Sequence, residues 1–265
     1  MKRRFVNLVT QNWTEGVYSV RRIDPYHHFF YGSADAALRA AAAEKTEPFP
    51  AMRIKELPTP CMNFTAAGSH GGTLDMFALY SPRATGDGRI VYTDMMGNAG
   101  LYDAGRHVHT ALSRLNERKG PQPMCLSIAH PDADEEDNLA HYVPEFNLWF
   151  GFSASSPDDH LCAADLSAMD GGRQPSAPTV WEDLNPPDEG EAWLPKQLEL
   201  LHLGGGKFLI AKTFTEGERG GYFSVLTGVE MMACAAGDDR QQTLQMVKHK
   251  CARFVFTDEH IERVL

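Results

Sequence analysis

His107 and His109 stand two apart in the run HVHTAL, which has the composition of a strand. Alternate side chains of an extended chain share a face, so this pair could offer two imidazoles to one metal ion. Protein zinc and copper sites draw on further ligands, and no third one stands at a recognisable spacing. His27 and His28 are adjacent and would point to opposite faces if extended. The five cysteines, Cys61, Cys125, Cys162, Cys234 and Cys251, are odd in number and contain no C-x-x-C pair. They read as free thiols in a reducing compartment. Gly204-Gly205-Gly206 runs into Lys207-Phe208 and lacks the Gly-Lys-Ser/Thr ending of a phosphate loop. It reads as a hairpin turn that uses glycine's freedom in φ. A copper-radical oxidase would need tyrosine and histidine around one metal; both types are plentiful here, and no set of them stands out. No G-x-S-x-G elbow appears. The acidic run Asp132 to Asp137 lacks the surrounding oxygen-ligand loop of a calcium site and reads as a solvated loop. Apart from His107 and His109 as candidate metal ligands, the residues point to no catalytic set and no cofactor.

The elements that would position these groups are strands. Residues 89–94 and 99–103 form β-rich runs separated by Met95-Met96-Gly97-Asn98, and Asp103-Ala104-Gly105 turns the chain again. In 107–112, Val108, Thr110 and Leu112 share one face and the two histidines the other. A fourth run, Met124 to Ile128, follows the Gly120-Pro121 turn. Four short strands in about 40 residues is the spacing of a propeller blade. Looser echoes follow: 141–152 with a turn at Pro144-Glu145-Phe146-Asn147, then 161–166, then 179–185. A third unit runs through 198–203, 207–212 and 221–227, and 245–250 with 253–257 closes the chain as a hairpin-like pair. The expected fold is an all-β, propeller-like single domain over 1–265. Helix is expected only at the alanine-rich stretch 33–45, with Ser33 as N-cap and Asp35 in the first turn. That helix lacks a broad apolar face and belongs at the surface. Residues 171–195, rich in Pro, Gly and acids, read as a long loop.

The totals set bounds. A formal net charge of −10 argues against a protein devoted to phosphate backbones. The basic spots Lys2-Arg3-Arg4 and Arg21-Arg22 fit solvated strand edges. No apolar run reaches the length of a membrane span, and the apolar part of the N-terminus, Phe5 to Val9, is too short for a signal-peptide core. No nucleic-acid partner and no membrane is expected, and the setting is cytoplasmic or nuclear.

Several segments together resemble a plant family of unknown function, expanded in grasses and related to kelch and galactose-oxidase-like propellers. They are RRFVNLV (3–9), YSVRRIDPYHHFFY (18–31), MRIKELPTPCMNF (52–64), VPEFNLWFGFSA (143–154), VWEDLNPP (180–187), LTGVEMM (226–232), KHK (248–250) and FVFTDEHIERVL (254–265). The resemblance implies a kelch-like β-propeller and a plant intracellular protein, and carries no catalytic residue across. Similar members have a stretch on the order of one to two blades between SIAHPDA and VPEFNLWFG. Here the acidic junction 129–141 joins the two directly, so the propeller is expected to be short of blades. The remaining blades then close a smaller ring, or a partner covers the open edge, or the chain is a divergent, non-functional duplicate.

The functional expectation is a protein-interaction scaffold, since propellers present loops from a rigid frame. Trp149 and Trp181 are expected in the core, and Trp193, inside Glu189-Gly190-Glu191-Ala192-Trp193, is the candidate contact aromatic. No F-box-type helical module precedes the strands. The rival is a galactose-oxidase-like or carbohydrate-active enzyme.

Overall fold

The computed structural model describes residues 3–44, 54–66, 73–80, 88–117, 141–153, 160–166, 179–181, 193–217, 221–234 and 243–265. They fold mostly as strand, into the four blades of a β-propeller. The first sheet has the order β17-β1-β2-β4, with β1 Val6–Asn12, β2 Val17–Ile23, β4 Pro60–Thr65 and β17 Glu259–Val264. The second runs β5 Leu74–Tyr80, β6 Arg89–Asp94, β7 Ala99–Asp103 and β8 Val108–Leu112. The third runs β9 His141–Val143, β10 Leu148–Phe152, β11 Leu161–Ala164 and β12 Thr179–Trp181. The fourth runs β13 Trp193–Gly204, β14 Lys207–Glu216, β15 Tyr222–Cys234 and β16 Thr243–Val255, with β3 Ile54–Lys55 parallel on its edge. Among the described residues, the helices α1 Pro25–Phe29 and α2 Ala34–Glu44 lie between β2 and β3.

The last strand closes the first sheet. β17 pairs antiparallel with β1 from Leu8↔Val264 to Asn12↔Glu259, so the two ends of the chain share one blade. Arg21 reinforces the closure: Nη2 donates to both carboxylate oxygens of Glu259 at 3.3 and 3.1 Å, and Nη1 donates to the Pro58 carbonyl at 2.7 Å.

Among the described residues, three sheet-on-sheet interfaces hold the apolar core. Val9, Tyr18, Val20 and Phe64 of the first sheet meet Phe77, Ile90 and Tyr102 of the second. Val6, Leu8 and Ile261 of the first meet Leu203, Leu209, Leu226 and Phe254 of the fourth. Val143, Phe150 and Leu161 of the third meet Phe208, Ile210, Val229 and Met231 of the fourth. The blades therefore follow one another as second, first, fourth, third. Among the described residues no buried cluster joins the second sheet to the third.

This order explains the strand patterns. β14 lies between two neighbouring sheets, so Phe208 and Ile210 serve one interface and Leu209 and Ala211 the other. Such a strand reads as a continuous apolar run. In β10, Phe150 is fully buried on the face that meets the fourth sheet, while Trp149, on the opposite face, is half-buried.

Several expectations need correcting. The blade expected at 89–128 begins one strand earlier, at Leu74–Tyr80, and its expected fourth run at 124–128 lies outside the described residues. Most of the acidic junction 129–141 and of the loop 171–195 lies outside them too. The closing pair 245–250 and 253–257 is one strand, β16, and the chain's last strand is β17. Opposite Gly228 two residues of β16, His249 and Lys250, stand where one would, since Thr227 pairs with Cys251 and Val229 with Lys248. This bulge interrupts the alternation and mimics a strand end. The alanine-rich helix is present as α2, with Ser33 Oγ accepting the Ala36 amide at 3.2 Å and Ala37 buried. His27 and His28 are helical rather than extended: Asp24 caps α1, its carboxylate accepting the Tyr26 and His27 amides, and Pro25 opens the helix.

Candidate functional site

The expected metal pair divides. His107 occupies the turn before β8 with φ 55°, and its Nδ1 lies 2.9 Å from the Tyr102 hydroxyl. His109, on β8, places Nε2 2.5 Å from the Tyr92 hydroxyl. Each imidazole already has a phenol as partner. The turn between them and β7 is fixed by Asp103, whose carboxylate accepts the Gly105 and Arg106 amides and pairs with Arg89 at 3.3 Å. Burial acts to raise the Asp103 pKa, but the Arg106 amide, Arg89 and the Gly105 amide hold it below the ordinary carboxylate value. Among the described residues no three ligating side chains converge on a point that could hold a metal. The triple glycine is a hairpin turn: φ is 83°, 64° and 70° at Gly204, Gly205 and Gly206. A Cβ on Gly206 would stand 2.8 Å from the Met231 carbonyl oxygen.

Trp193 opens β13 rather than sitting in a loop. Its ring meets Phe223 edge-on at 4.7 Å and Phe214 at 5.8 Å, and the Arg253 guanidinium lies 5.3 Å from its centroid. It is half-buried, anchoring the end of the fourth sheet. Trp181 stacks nearly parallel on Phe150, and Trp149 packs against Tyr142.

A different tryptophan is presented to solvent. Trp13 sits on the turn between β1 and β2 and is 42% exposed. Asn12 holds that turn, its side-chain oxygen accepting the Thr14 amide at 3.0 Å and the Glu15 amide at 2.9 Å, while Gly16 takes φ 66°. The Trp13 amide donates to the Asp258 carbonyl at 3.1 Å. The indole stacks on His260 of β17 at 5.5 Å and tilts against Tyr222 of β15 at 5.4 Å. His260 Nε2 lies 3.1 Å from a Glu262 carboxylate oxygen, which fixes the imidazole plane. Glu15 on the turn and Asp258, whose carbonyl accepts the Trp13 amide, are both exposed. The site thus stands over the seam between the first and fourth sheets, at the strand ends, on a loop braced at both ends. Sequence reading missed it because Tyr222 and His260 reach Trp13 only after β17 has paired with β1. The local signal was Asn12-Trp13-Thr14-Glu15-Gly16, an Asx turn bearing an aromatic.

β13 and β17 meet at a polar contact. Arg263 Nη1 donates to Glu199 at 3.3 Å, and Gln197 Nε2 donates to the Glu262 carbonyl at 2.7 Å. Burial pushes the Glu199 carboxyl up to about 7, against the opposing pull of Arg263, the Val264 amide and Gln197.

No curated protein and no solved structure matches the chain. A family model does match, over residues 3–133 and 137–254, two stretches that part inside the acidic run, and the chain belongs to that family, described as a protein of unknown function (DUF1668).

Proposed function

We propose that this propeller is a non-enzymatic protein-interaction scaffold whose contact surface is the Trp13 face. The observation that carries the reading is a large aromatic ring held 42% exposed on a turn fixed by Asn12 and by the Asp258 carbonyl. Covering such a ring with a partner contributes about 2 kcal/mol of apolar burial. A loop already set in place loses little entropy on binding, and tryptophan is a frequent centre of binding hot spots. Glu15 and Asp258 beside it, within a chain of net charge −10, favour a partner that presents a basic segment. The quoted segments support a kelch-like kinship and a plant cytoplasmic or nuclear setting as parts of the same proposal.

The experiment is affinity capture from a plant extract with the full chain, Trp13→Ala and Trp193→Phe, with the captured proteins quantified. The expected result is a partner held by the wild type and by Trp193→Phe and reduced at least tenfold by Trp13→Ala. Identical retention by the wild type and Trp13→Ala, or capture of nothing, overturns the assignment.

A further inference from the structure

The chain from Asp24 to Tyr31 is fastened to the fourth sheet by the Tyr26 hydroxyl, which donates to the Leu203 carbonyl at 3.1 Å, by the buried rings of Phe29 and Phe30, and by one histidine in one tautomer. The His249 side chain has no exposed surface. Its Nδ1 accepts the Tyr31 amide at 3.2 Å, so that nitrogen carries no proton. The proton is on Nε2, which donates to Glu230 of β15 at 3.0 Å. Glu230 is in turn paired with Lys207 of β14. Phe30 packs on the imidazole at 4.9 Å and Tyr31 stacks on it at 6.2 Å. The β16 bulge opposite Gly228 sets this geometry by turning His249 toward the segment. Gly228 makes the close approach possible, since a Cβ there would lie 2.4 Å from the Phe29 carbonyl oxygen.

We propose that His249 is an acid-sensitive latch for residues 24–44. Neutral, it holds α1 and the following α2 against β15 and β16; protonated, it lets them go. An imidazolium donates from both nitrogens, so its new Nδ1–H faces the Tyr31 N–H, donor against donor. The ring cannot keep its place and both hydrogen bonds.

The charges around His249 do not offset this. Glu230 is the carboxylate in contact, and it is already neutralised by Lys207. Lys250 on the same strand adds positive charge, its Nζ lying 5.0 Å from the Tyr31 ring. From the segment itself come Asp24, His27 and His28, with Asp35 and Arg39 on α2, and the edge strand β3 brings Lys55 over Phe29 at 5.8 Å. Burial is the largest influence on His249, with Lys207 and Lys250 acting in the same direction, and it holds the pKa below the ordinary 6.5 despite the Glu230 bond. The docked state therefore binds fewer protons than the released one. Docking is at full strength above 6.5 and weakens as pH falls below it, by up to about tenfold per pH unit. Glu230, held below its ordinary value, stays ionised throughout that window. Release uncovers Phe29 and Phe30, now 0% and 4% exposed, together with their contacts Leu226 and Phe254.

The test is hydrogen exchange on the full chain at pH 7.5 and 5.5, corrected for intrinsic rates, in the wild type and His249→Gln. The wild type should lose about tenfold protection over 24–44 at the lower pH while β14 keeps its own. His249→Gln should show no such pH dependence. Equal protection at both pH values in the wild type, the same loss in the Gln variant, or parallel loss across all strands overturns the latch. Should the Gln variant fail to fold, nitrogen-15 NMR of wild-type His249 decides. A neutral ring protonated at Nε2 that titrates below 6.5 together with the Tyr31 amide supports the latch, and a ring already charged at pH 7 refutes it.

Discussion

Glu199 on β13 and Arg263 on β17 meet at 3.3 Å across the contact between the fourth sheet and the strand that closes the first. Neither side chain is free in water, with 16% and 23% of their surfaces exposed. Burial lifts the Glu199 pKa to about 7, above the ordinary 4.5, so the folded chain holds that proton more tightly than the unfolded chain. The stability that Glu199 contributes therefore falls as pH rises from about 4.5 to about 7 and is flat above. The expected difference is about 3 kcal/mol in unfolding free energy. Urea unfolding of the wild type and Glu199→Gln at several pH values in this range checks it: the difference between the two curves should carry the Glu199 slope, since His249 adds an opposing slope to both. Parallel curves would mean that Arg263 keeps the carboxylate charged at all these pH values.

Phe150 ties the third sheet to the fourth. It is fully buried, 5.0 Å from Phe208 and stacked on Trp181. Phe150→Ala should cost about 3–5 kcal/mol by lost burial and the cavity left behind. Val108→Ala, at a position 51% exposed, should stay within about 0.5 kcal/mol. Denaturant titration of the full chain measures both. A large shift with a single transition for Phe150→Ala would mean that the third sheet unfolds with the rest.

Much of the second sheet was legible in the sequence because its strands have one buried face. In β6 and β7, Ile90 and Tyr102 alternate with half-buried residues, and the turns carry Asp94-to-Asn98 and Asp103-to-Arg106 hydrogen bonds that their residue types announce. β5 was not legible: LDMFALY is nearly all apolar and offers no alternation to count. The fourth sheet was legible as strands but not in their extent, since the bulge at His249 and Lys250 splits the pattern of β16. The helix at Pro25–Phe29 was announced by Asp24-Pro25 but hidden by aromatics that favour strand. The Trp13 surface depends on pairings between the two chain ends, which no local window contains.

Gly228 offers a stability test of the α1 dock that does not depend on pH. Gly228→Ala places a methyl 2.4 Å from the Phe29 carbonyl oxygen and about 3.1 Å from its Cβ, both on a helix that must back away. Overpacking against backbone typically costs about 1–3 kcal/mol. The expected outcome is faster hydrogen exchange over 24–44 at pH 7.5, with β14 little changed. A loss spread evenly over all four sheets would show that α1 is part of the cooperative core rather than a separately docked segment.

The two exposed-or-buried tryptophans separate a contact residue from a structural one. Trp193 packs on Phe214, Phe223 and Arg253, so Trp193→Ala should destabilise the fold by about 3 kcal/mol through lost ring contacts. Trp13 packs its ring on Tyr222 and His260 and leaves 42% in water, so Trp13→Ala should cost about 1 kcal/mol. Urea midpoints of the two variants give the comparison directly. If Trp13→Ala proves the more damaging, its stack is a clasp that holds β17 and β15 together, and the surface proposed for a partner is an internal brace. If the order is as expected, any binding lost in Trp13→Ala at intact stability is lost at the contact itself.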